Sequence, residues 1–149
     1  MTYEEIYSQF YSRIEDPTFF QKYSKDEAYD LMRVWLHSIV AEPYIRKCFS
    51  SISLDDNILE LTFKLNNPID DDSDNYFVKN IFAQGMSICW MQQKIDKAVS
   101  LAQVVGGKEE KTILNNYKPN MTRLKELKVQ LRKVIRDYGY INNDYIGDE

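Results

Sequence analysis

Apolar residues recur every three or four positions along most of this chain, which is the spacing that places them on one face of a helix. The pattern predicts four main helices, at about residues 2–15, 25–42, 75–105 and 119–138. The most regular stripe is in the second helix and consists of Ala28, Leu31, Met32, Trp35, Leu36 and Ile39. The third helix has apolar residues around much of its middle, so we expect it to be the central helix of the core.

Residues that favour helix ends support these boundaries. Thr2 and Glu5 have the spacing of a capping box, in which each side chain accepts a hydrogen bond from the backbone N–H of the other residue. The glycine pair at 106–107 favours a left-handed stop after the third helix. A linker at residues 108–118 is then predicted to lead to the last helix, because Pro119 suits the first turn of a helix.

Between the second and third helices the period of the pattern changes to two. Leu59, Leu61, Phe63 and Leu65 alternate with mostly polar neighbours, as expected for a half-buried strand. With the apolar positions that precede a polar turn, they predict a β-hairpin over residues 51–65. An isolated hairpin is marginal in water, so this one must pack on the helices or pair with a strand of another subunit.

These elements predict a mostly α fold, namely a small helical bundle of about four helices with an inserted β-hairpin and a C-terminal tail at residues 140–149. A chain of 149 residues is one domain of ordinary size. No apolar run approaches the ~20 residues of a membrane span. The N-terminal segment is acidic and polar, unlike a signal peptide. We therefore expect a single domain that has no membrane partner.

Tyrosine is unusually frequent, with 11 Tyr against 7 Phe. Tyrosine provides much contact area for little side-chain entropy, and its excess favours surfaces that become buried only on assembly. Such surfaces are predicted on one face of the first helix, on the hairpin and on the tail. The interface candidates are Tyr3, Tyr7, Tyr11, Leu59, Leu61, Phe63, Tyr140, Ile141, Tyr145 and Ile146.

Charge is distributed unevenly, although the net charge is only −4. Residues 54–76 contain seven acids and one base, whereas residues 108–136 contain nine bases and three acids. One interpretation is two solvated surfaces, since single surface charges contribute little. The other is a complementary head-to-tail contact between subunits. The basic residues that would face a neighbouring subunit or DNA are Arg123, Lys125, Lys128, Arg132, Lys133 and Arg136.

Three acids in the loop before the third helix have the start of a calcium-binding pattern. Asp70, Asp72 and Asp74 match the first three ligand positions of an EF-hand loop. The match then fails, because asparagine occupies the glycine position and isoleucine occupies the position of the bidentate glutamate. The favoured interpretation is a solvated acidic loop, with Ser73 or Asp74 capping the helix that follows.

The remaining chemistry-bearing residues are few and scattered. His37 is the single histidine, and nothing near it, its neighbour Ser38 included, has the pattern of a positioned nucleophile with an orienting group. Cys48 and Cys89 are too far apart for a zinc-binding spacing and are predicted to be free, reduced, buried thiols. We therefore expect no enzyme activity, no catalytic residue, no cofactor and no metal site.

Five stretches of the chain carry a resemblance to one protein family. They are residues 1–6, 44–51, 77–90, 106–111 and 131–146, of which the last is the most telling. Together they are similar to the head–tail connector, or neck adaptor, proteins of siphophages and prophages of Gram-positive bacteria. The resemblance covers most of the chain and includes no catalytic motif.

This resemblance implies a structural protein of the virion neck that is assembled in the cytoplasm of the host bacterium. Connectors of this kind form a ring, commonly of twelve subunits, below the portal protein. The ring extends the DNA channel, through which DNA passes without specific binding, and provides the platform for a stopper or tail-completion protein. The alternative is a small phage-encoded DNA-binding or regulatory protein, which only the basic last helix supports.

Overall fold

A computed structural model describes residues 1–14, 16 and 18–141 of the chain. The fold is 76% helical, with long helices packed together and one two-stranded antiparallel hairpin between them, which confirms the predicted mostly α class. The helices are α1 (Tyr3–Ile14), α2 (Phe19–Lys22), α3 (Lys25–Val40), α4 (Pro43–Arg46), α5 (Asp71–Val105) and α6 (Gly107–Ile141), and the strands are β1 (Phe49–Asp55) and β2 (Glu60–Leu65).

The start of α1 follows the predicted capping box, and α3 also begins at a side-chain cap. At α1 the backbone N–H of Thr2 donates to the Glu5 carboxylate at 2.8 Å, and the N–H of Glu5 donates to the Thr2 hydroxyl at 3.2 Å. At α3 the Ser24 hydroxyl accepts a hydrogen bond from the N–H of Glu27. Each cap satisfies N–H groups that the first helical turn leaves without an intrahelical partner.

The hairpin packs against the helices of its own chain. Leu61 and Leu65 are buried whereas the alternate residues of β2 are exposed, so the predicted period of two is confirmed. The Phe49 ring of β1 stacks on Phe82 of α5, with 5.7 Å between the ring centroids. The prediction that Leu59 belongs to the strand is wrong, because Leu59 lies in the turn and has a positive φ of 55°.

The N-terminal residues lie along the outer edge of β2. The Met1 carbonyl accepts a hydrogen bond from the N–H of Leu61 at 2.8 Å, and the N–H of Tyr3 donates to the Leu59 carbonyl at 2.9 Å. Thr2 also forms an isolated antiparallel bridge with Glu60. These bonds occupy backbone groups that an edge strand would otherwise offer to another chain.

Helix α5 begins four residues earlier than predicted. Its cap is Asp70, whose carboxylate accepts a hydrogen bond from the N–H of Ser73 at 2.7 Å, so neither Ser73 nor Asp74 is the capping residue. The acids at the start of the helix complement the positive end of its dipole. Gly106 ends α5 with a positive φ of 65°, as the glycine pair predicted, but its ψ of 179° lies outside the left-handed helical region.

The predicted linker at residues 108–118 is wrong, because α6 begins at Gly107 and continues through Pro119. Ile113 and Tyr117 are half-buried, and they lie beside Ala98 and Leu101 of α5. This apolar contact holds the first turns of α6 against α5. Proline lacks an N–H and therefore removes one intrahelical hydrogen bond, and the packing on both sides of it offsets that loss.

Helix α5 is central, as the sequence predicted, and α1, α3 and α6 pack around it. Every residue from 81 to 88 is buried. Gly85 lies at the closest approach of α3, because a methyl group in place of its hydrogen would fall 2.6 Å from the Cγ2 atom of Ile39. The core therefore requires a residue without a side chain at this position.

Candidate interaction surfaces

Basic side chains of α6 border a groove between α6, α5 and the end of α3. The groove has a volume of about 1170 Å³, and Lys125, Lys128 and Arg132 lie along one wall. The Arg132 guanidinium lies 4.9 Å from the centroid of the Tyr44 ring. Lys128 Nζ donates to the Oε1 atom of Gln92 at 3.5 Å. We call this feature the basic groove.

The basic groove is amphipathic. The buried residues Ile39 and Ile88 line its floor, and Val129, which is 67% exposed, provides its uncovered apolar surface. Its charged lining consists of four bases (Lys97, Lys125, Lys128 and Arg132) and two acids (Glu42 and Asp96). The groove therefore combines an excess of positive charge with an uncovered apolar surface, which together suit an acidic, partly apolar partner segment.

The structure brings only three of the six predicted basic residues into the groove. All six are exposed. Arg136 lines a separate hollow near Tyr138, and Arg123 pairs with Glu126 of the same helix at 3.4 Å. Lys133 lines none of the described hollows close to the groove. The charge count along the sequence did not distinguish these positions, because it takes no account of where each residue points around the helix.

The start of α5 carries the opposite combination of charge and apolar surface. Asp71 and Asp72 are exposed, and Ile69 and Tyr76 beside them are 51% and 68% exposed. We call these four residues the acidic end. Ile69, Asp72 and Tyr76 border a shallow hollow of about 530 Å³ that extends to the last turns of α6. We call it the acidic hollow.

An unpaired polar atom lies at this hollow. Asn80 lines it, and among the residues that the structure describes none donates a hydrogen bond to the buried Oδ1 atom of Asn80. A buried acceptor without a donor costs about 1–3 kcal/mol, so such an atom calls for an explanation.

Asp74 belongs to the interior and not to a solvated loop. Its side chain is 8% exposed, accepts a hydrogen bond from the Tyr138 hydroxyl of α6, and accepts another from the N–H of Ile69 at 3.0 Å. The Tyr138 ring stacks on Phe77, with centroids 3.8 Å apart. The predicted acidic loop is therefore wrong at this residue, because Asp70 caps a helix and Asp74 ties the two long helices together.

The structure places some of the interface candidates in the core of the chain itself. Tyr3, Tyr7 and Leu61 are at most 5% exposed and belong to the chain's own core, which corrects the expectation that they face a partner. The physical reason is that α1 is covered on two sides, by α5 and by Tyr29 of α3, whose ring lies 5.8 Å from Tyr7.

Of the other candidates, Tyr11 and Phe63 are half-buried and Leu59 is 48% exposed. Tyr140 and Ile141 lie in the last turn of α6, so the predicted tail does not begin at residue 140. Tyr145 and Ile146 lie outside the described residues. Only Leu59 is thus an exposed apolar candidate among those whose side chains are described.

A cluster around Asp56 was missed by the sequence analysis. The Tyr3 hydroxyl donates to Asp56 Oδ1 at 2.6 Å, and His37 Nε2 lies 2.8 Å from the same oxygen. These hydrogen bonds lower the pKa of the Asp56 carboxyl below its ordinary value, that from Tyr3 most strongly. Burial, with the negative carboxylate beside it, raises the pKa of the Tyr3 phenol, which therefore keeps its proton.

The Asp56 cluster ties the hairpin turn to α1 and α3. The Tyr3 hydroxyl donates to the carboxylate and not to the imidazole, so it is not aligned as a nucleophile activated by His37. No signal in the sequence indicated this contact, because 53 residues separate Tyr3 from Asp56 and 19 separate His37 from Asp56. The cluster is a structural contact, because its hydrogen bonds fasten the hairpin turn to both helices. We call it the Asp56 clasp.

Both cysteines are free thiols, as predicted, and each is half-buried. Burial raises the pKa of the Cys48 thiol. Burial, with a smaller effect from Glu42, raises the pKa of the Cys89 thiol to about 11. Within residues 1–14, 16 and 18–141, no three His, Cys, Asp or Glu side chains are close enough together to hold a metal ion.

Among the helices that the structure describes, none combines the length and the apolar composition needed to cross a membrane. Comparison with protein-family models, with curated proteins and with solved structures found no match to this chain.

Proposed function

We propose that this chain is a structural protein of a tailed-phage neck. In this proposal it is a head–tail connector that forms a homo-oligomeric ring below the portal protein, extends the DNA channel and provides the platform for a stopper or tail-completion protein. The resemblance of five stretches of the sequence to such connectors is one support. The other is the placement of charge and apolar surface on the fold.

The observation that carries the proposal is the presence of two unlike surfaces on one subunit. The acidic end has exposed carboxylates beside Ile69 and Tyr76, and the basic groove has ammonium and guanidinium groups beside Val129. A subunit that carries two different but complementary surfaces favours heterologous contacts, and repeated heterologous contacts generate rings when the rotation closes.

The test is the solution mass of the purified chain, measured by light scattering alone and then with a candidate portal protein. One subunit has a mass of 17.7 kDa. A ring of twelve would therefore measure about 210 kDa. We expect either such a species or a monomer that joins the portal in multiple copies. A chain that remains a monomer and does not bind the portal would contradict the proposal.

A variant that lacks residues 142–149 tests the predicted role of the tail. We expect it to lose ring assembly or portal docking while its circular dichroism spectrum remains that of a folded helical protein, because the variant keeps α1 to α6 complete. Unchanged assembly in this variant would remove the tail from the proposal without affecting the remainder.

A second candidate function is DNA binding by the exposed basic residues of α6. Binding of a DNA duplex measured across salt concentrations separates the two functions. Passage through a channel requires only weak phosphate contacts that disappear at moderate salt, whereas a sequence-specific regulator should retain tight binding to its site there.

A further inference from the structure

We infer that the acidic end of one subunit docks in the basic groove of a second copy of the chain. The acidic end consists of Ile69, Asp71, Asp72 and Tyr76, and the groove presents Lys125, Lys128, Val129 and Arg132. This inference rests on the proposed function, because it names the contact by which the ring is built. The oligomer could exist with a different contact, so the two can fail separately.

The two surfaces match in charge and in apolar character. The groove has four bases against two acids. The charged residues of the acidic end, Asp71 and Asp72, are both acids and both exposed. Ile69 and Tyr76 are more than half exposed, as is Val129 of the groove. Docking removes all three apolar side chains from water and places the carboxylates opposite the bases.

Helix geometry allows one subunit to use both surfaces at once. On α5, Asp72 and Tyr76 face the acidic hollow whereas Gln92 and Asp96 face the basic groove. At about 100° per residue, these two pairs of residues lie on faces of α5 roughly 160° apart. A subunit can therefore bind one neighbour on each side, which is the arrangement that a heterologous chain of contacts needs.

The same geometry restricts the shape of the assembly. The two surfaces are centred some 20 residues apart along α5, which is about 30 Å at 1.5 Å per residue. If α5 were parallel to the symmetry axis, each contact would raise the next subunit by that distance and produce an open helix. A closed ring therefore requires α5 to be strongly inclined to the ring axis.

A charge-swap experiment tests the contact. One variant carries Asp71→Lys and Asp72→Lys, and the other carries Lys128→Glu and Arg132→Glu. Each alone places like charges across the contact, so we expect self-association at low salt to weaken by about tenfold or more in sedimentation equilibrium. An equal mixture of the two restores opposite charges at every contact between unlike variants, so we expect assembly of the mixture to recover.

Matched controls carry the same charge changes at other exposed positions. Lys108→Glu with Lys111→Glu reverses two bases of α6 that lie outside the groove. Asp26→Lys with Glu27→Lys reverses two acids in the first turn of α3 and so reproduces the loss of a helix-dipole interaction. We expect both controls to assemble as the unchanged chain does.

The outcomes distinguish this inference from the proposed function. Rings that form equally well in both charge-reversed variants would overturn the contact and leave the ring in place. A wild-type chain that stays monomeric up to millimolar concentration at low salt would also overturn the contact, and its binding to a portal would then still support the connector function. Loss of DNA binding in the Lys128→Glu, Arg132→Glu variant, with self-association unchanged, would overturn the contact and assign the groove to nucleic acid instead.

Discussion

The tight approach of α3 to α5 at Gly85 leads to a quantitative prediction. A methyl group at this position would lie 2.6, 2.8 and 2.9 Å from three carbons of the Ile39 side chain. Carbon atoms in contact are normally about 3.5–4.0 Å apart. Because Ile39 is β-branched and has essentially one side-chain rotamer available in a helix, it cannot rotate away easily. The Gly85→Ala variant must therefore shift α3 relative to α5.

Two opposing contributions determine the size of the effect. Overpacking of this kind costs about 1–3 kcal/mol, and the rigidity of Ile39 favours the upper half of that range. Alanine in a helix interior is more favourable than glycine by about 1 kcal/mol. The net loss in the free energy of unfolding should thus be about 1–2 kcal/mol. For a chain of this size it corresponds to a fall in Tm of roughly 2–8 °C.

A double-mutant cycle with Ile39→Ala isolates the steric contribution. In that background the methyl group added by Gly85→Ala meets open space, so this substitution should raise the free energy of unfolding by about 1 kcal/mol. The sign of its effect therefore reverses between the two backgrounds. The coupling energy of the cycle should be about 2–3 kcal/mol, measured by urea unfolding of all four chains.

Gly139 provides the matched control, because a methyl group there meets no atom within 4 Å among the residues that the structure describes. Gly139→Ala in α6 should leave stability unchanged or raise it by up to about 1 kcal/mol. If Gly85→Ala stabilised the unchanged chain as well, or if the cycle gave no coupling, the close packing of α3 on α5 would be refuted.

Three further predictions concern the polar side chains Asp74, Asp56 and Cys89. Asp74→Ala removes the acceptor for the Tyr138 hydroxyl and should lower the free energy of unfolding by about 2–3 kcal/mol in urea, more than Tyr138→Phe does. Hydrogen bonds lower the pKa of the Asp56 carboxyl in the folded chain. The stability that they contribute should be fully present above the pKa of the unfolded chain, about 4, and should be lost as the pH falls through the lower pKa of the folded chain. Tyr3→Phe should bring the NMR-measured pKa of Asp56 closer to its ordinary value and reduce the loss of stability on acidification. Because the pKa of Cys89 is raised to about 11, mass spectrometry should show slow alkylation at pH 8 that urea accelerates.

The sequence predicted the helices where local signals and packing agree. The apolar stripe of α3 and the Thr2–Glu5 capping box depend on neighbours within one turn, so the pattern contains them in full. The first turns of α6 were missed because their stability comes from α5. Residues 108–118 are polar enough to be interpreted as a linker, and only the contact of Ile113 and Tyr117 with another helix shows otherwise.

The contacts of Asp56 and Asp74 could not be predicted from the sequence, for a different reason. Asp74 is 64 residues from Tyr138, whose hydroxyl donates to it, and Tyr3 is 53 residues from Asp56. An acidic run predicts solvation, because most carboxylates are exposed. Which carboxylate is instead buried and paired depends on where distant helices end, and a single sequence does not contain that geometry.

The position of the tyrosines changes the basis of the assembly proposal. The frequency of tyrosine suggested interfaces, but a tyrosine whose hydroxyl finds a partner can equally be a core residue. Tyr3 meets that condition through Asp56, and Tyr7 is covered by the rings of Tyr3 and Tyr29. Composition therefore cannot separate the two uses, whereas exposure can. The case for assembly then depends on surfaces that remain uncovered, among them the acidic end of α5 and the basic groove. Substitutions on these two surfaces test it more directly than substitutions on α1.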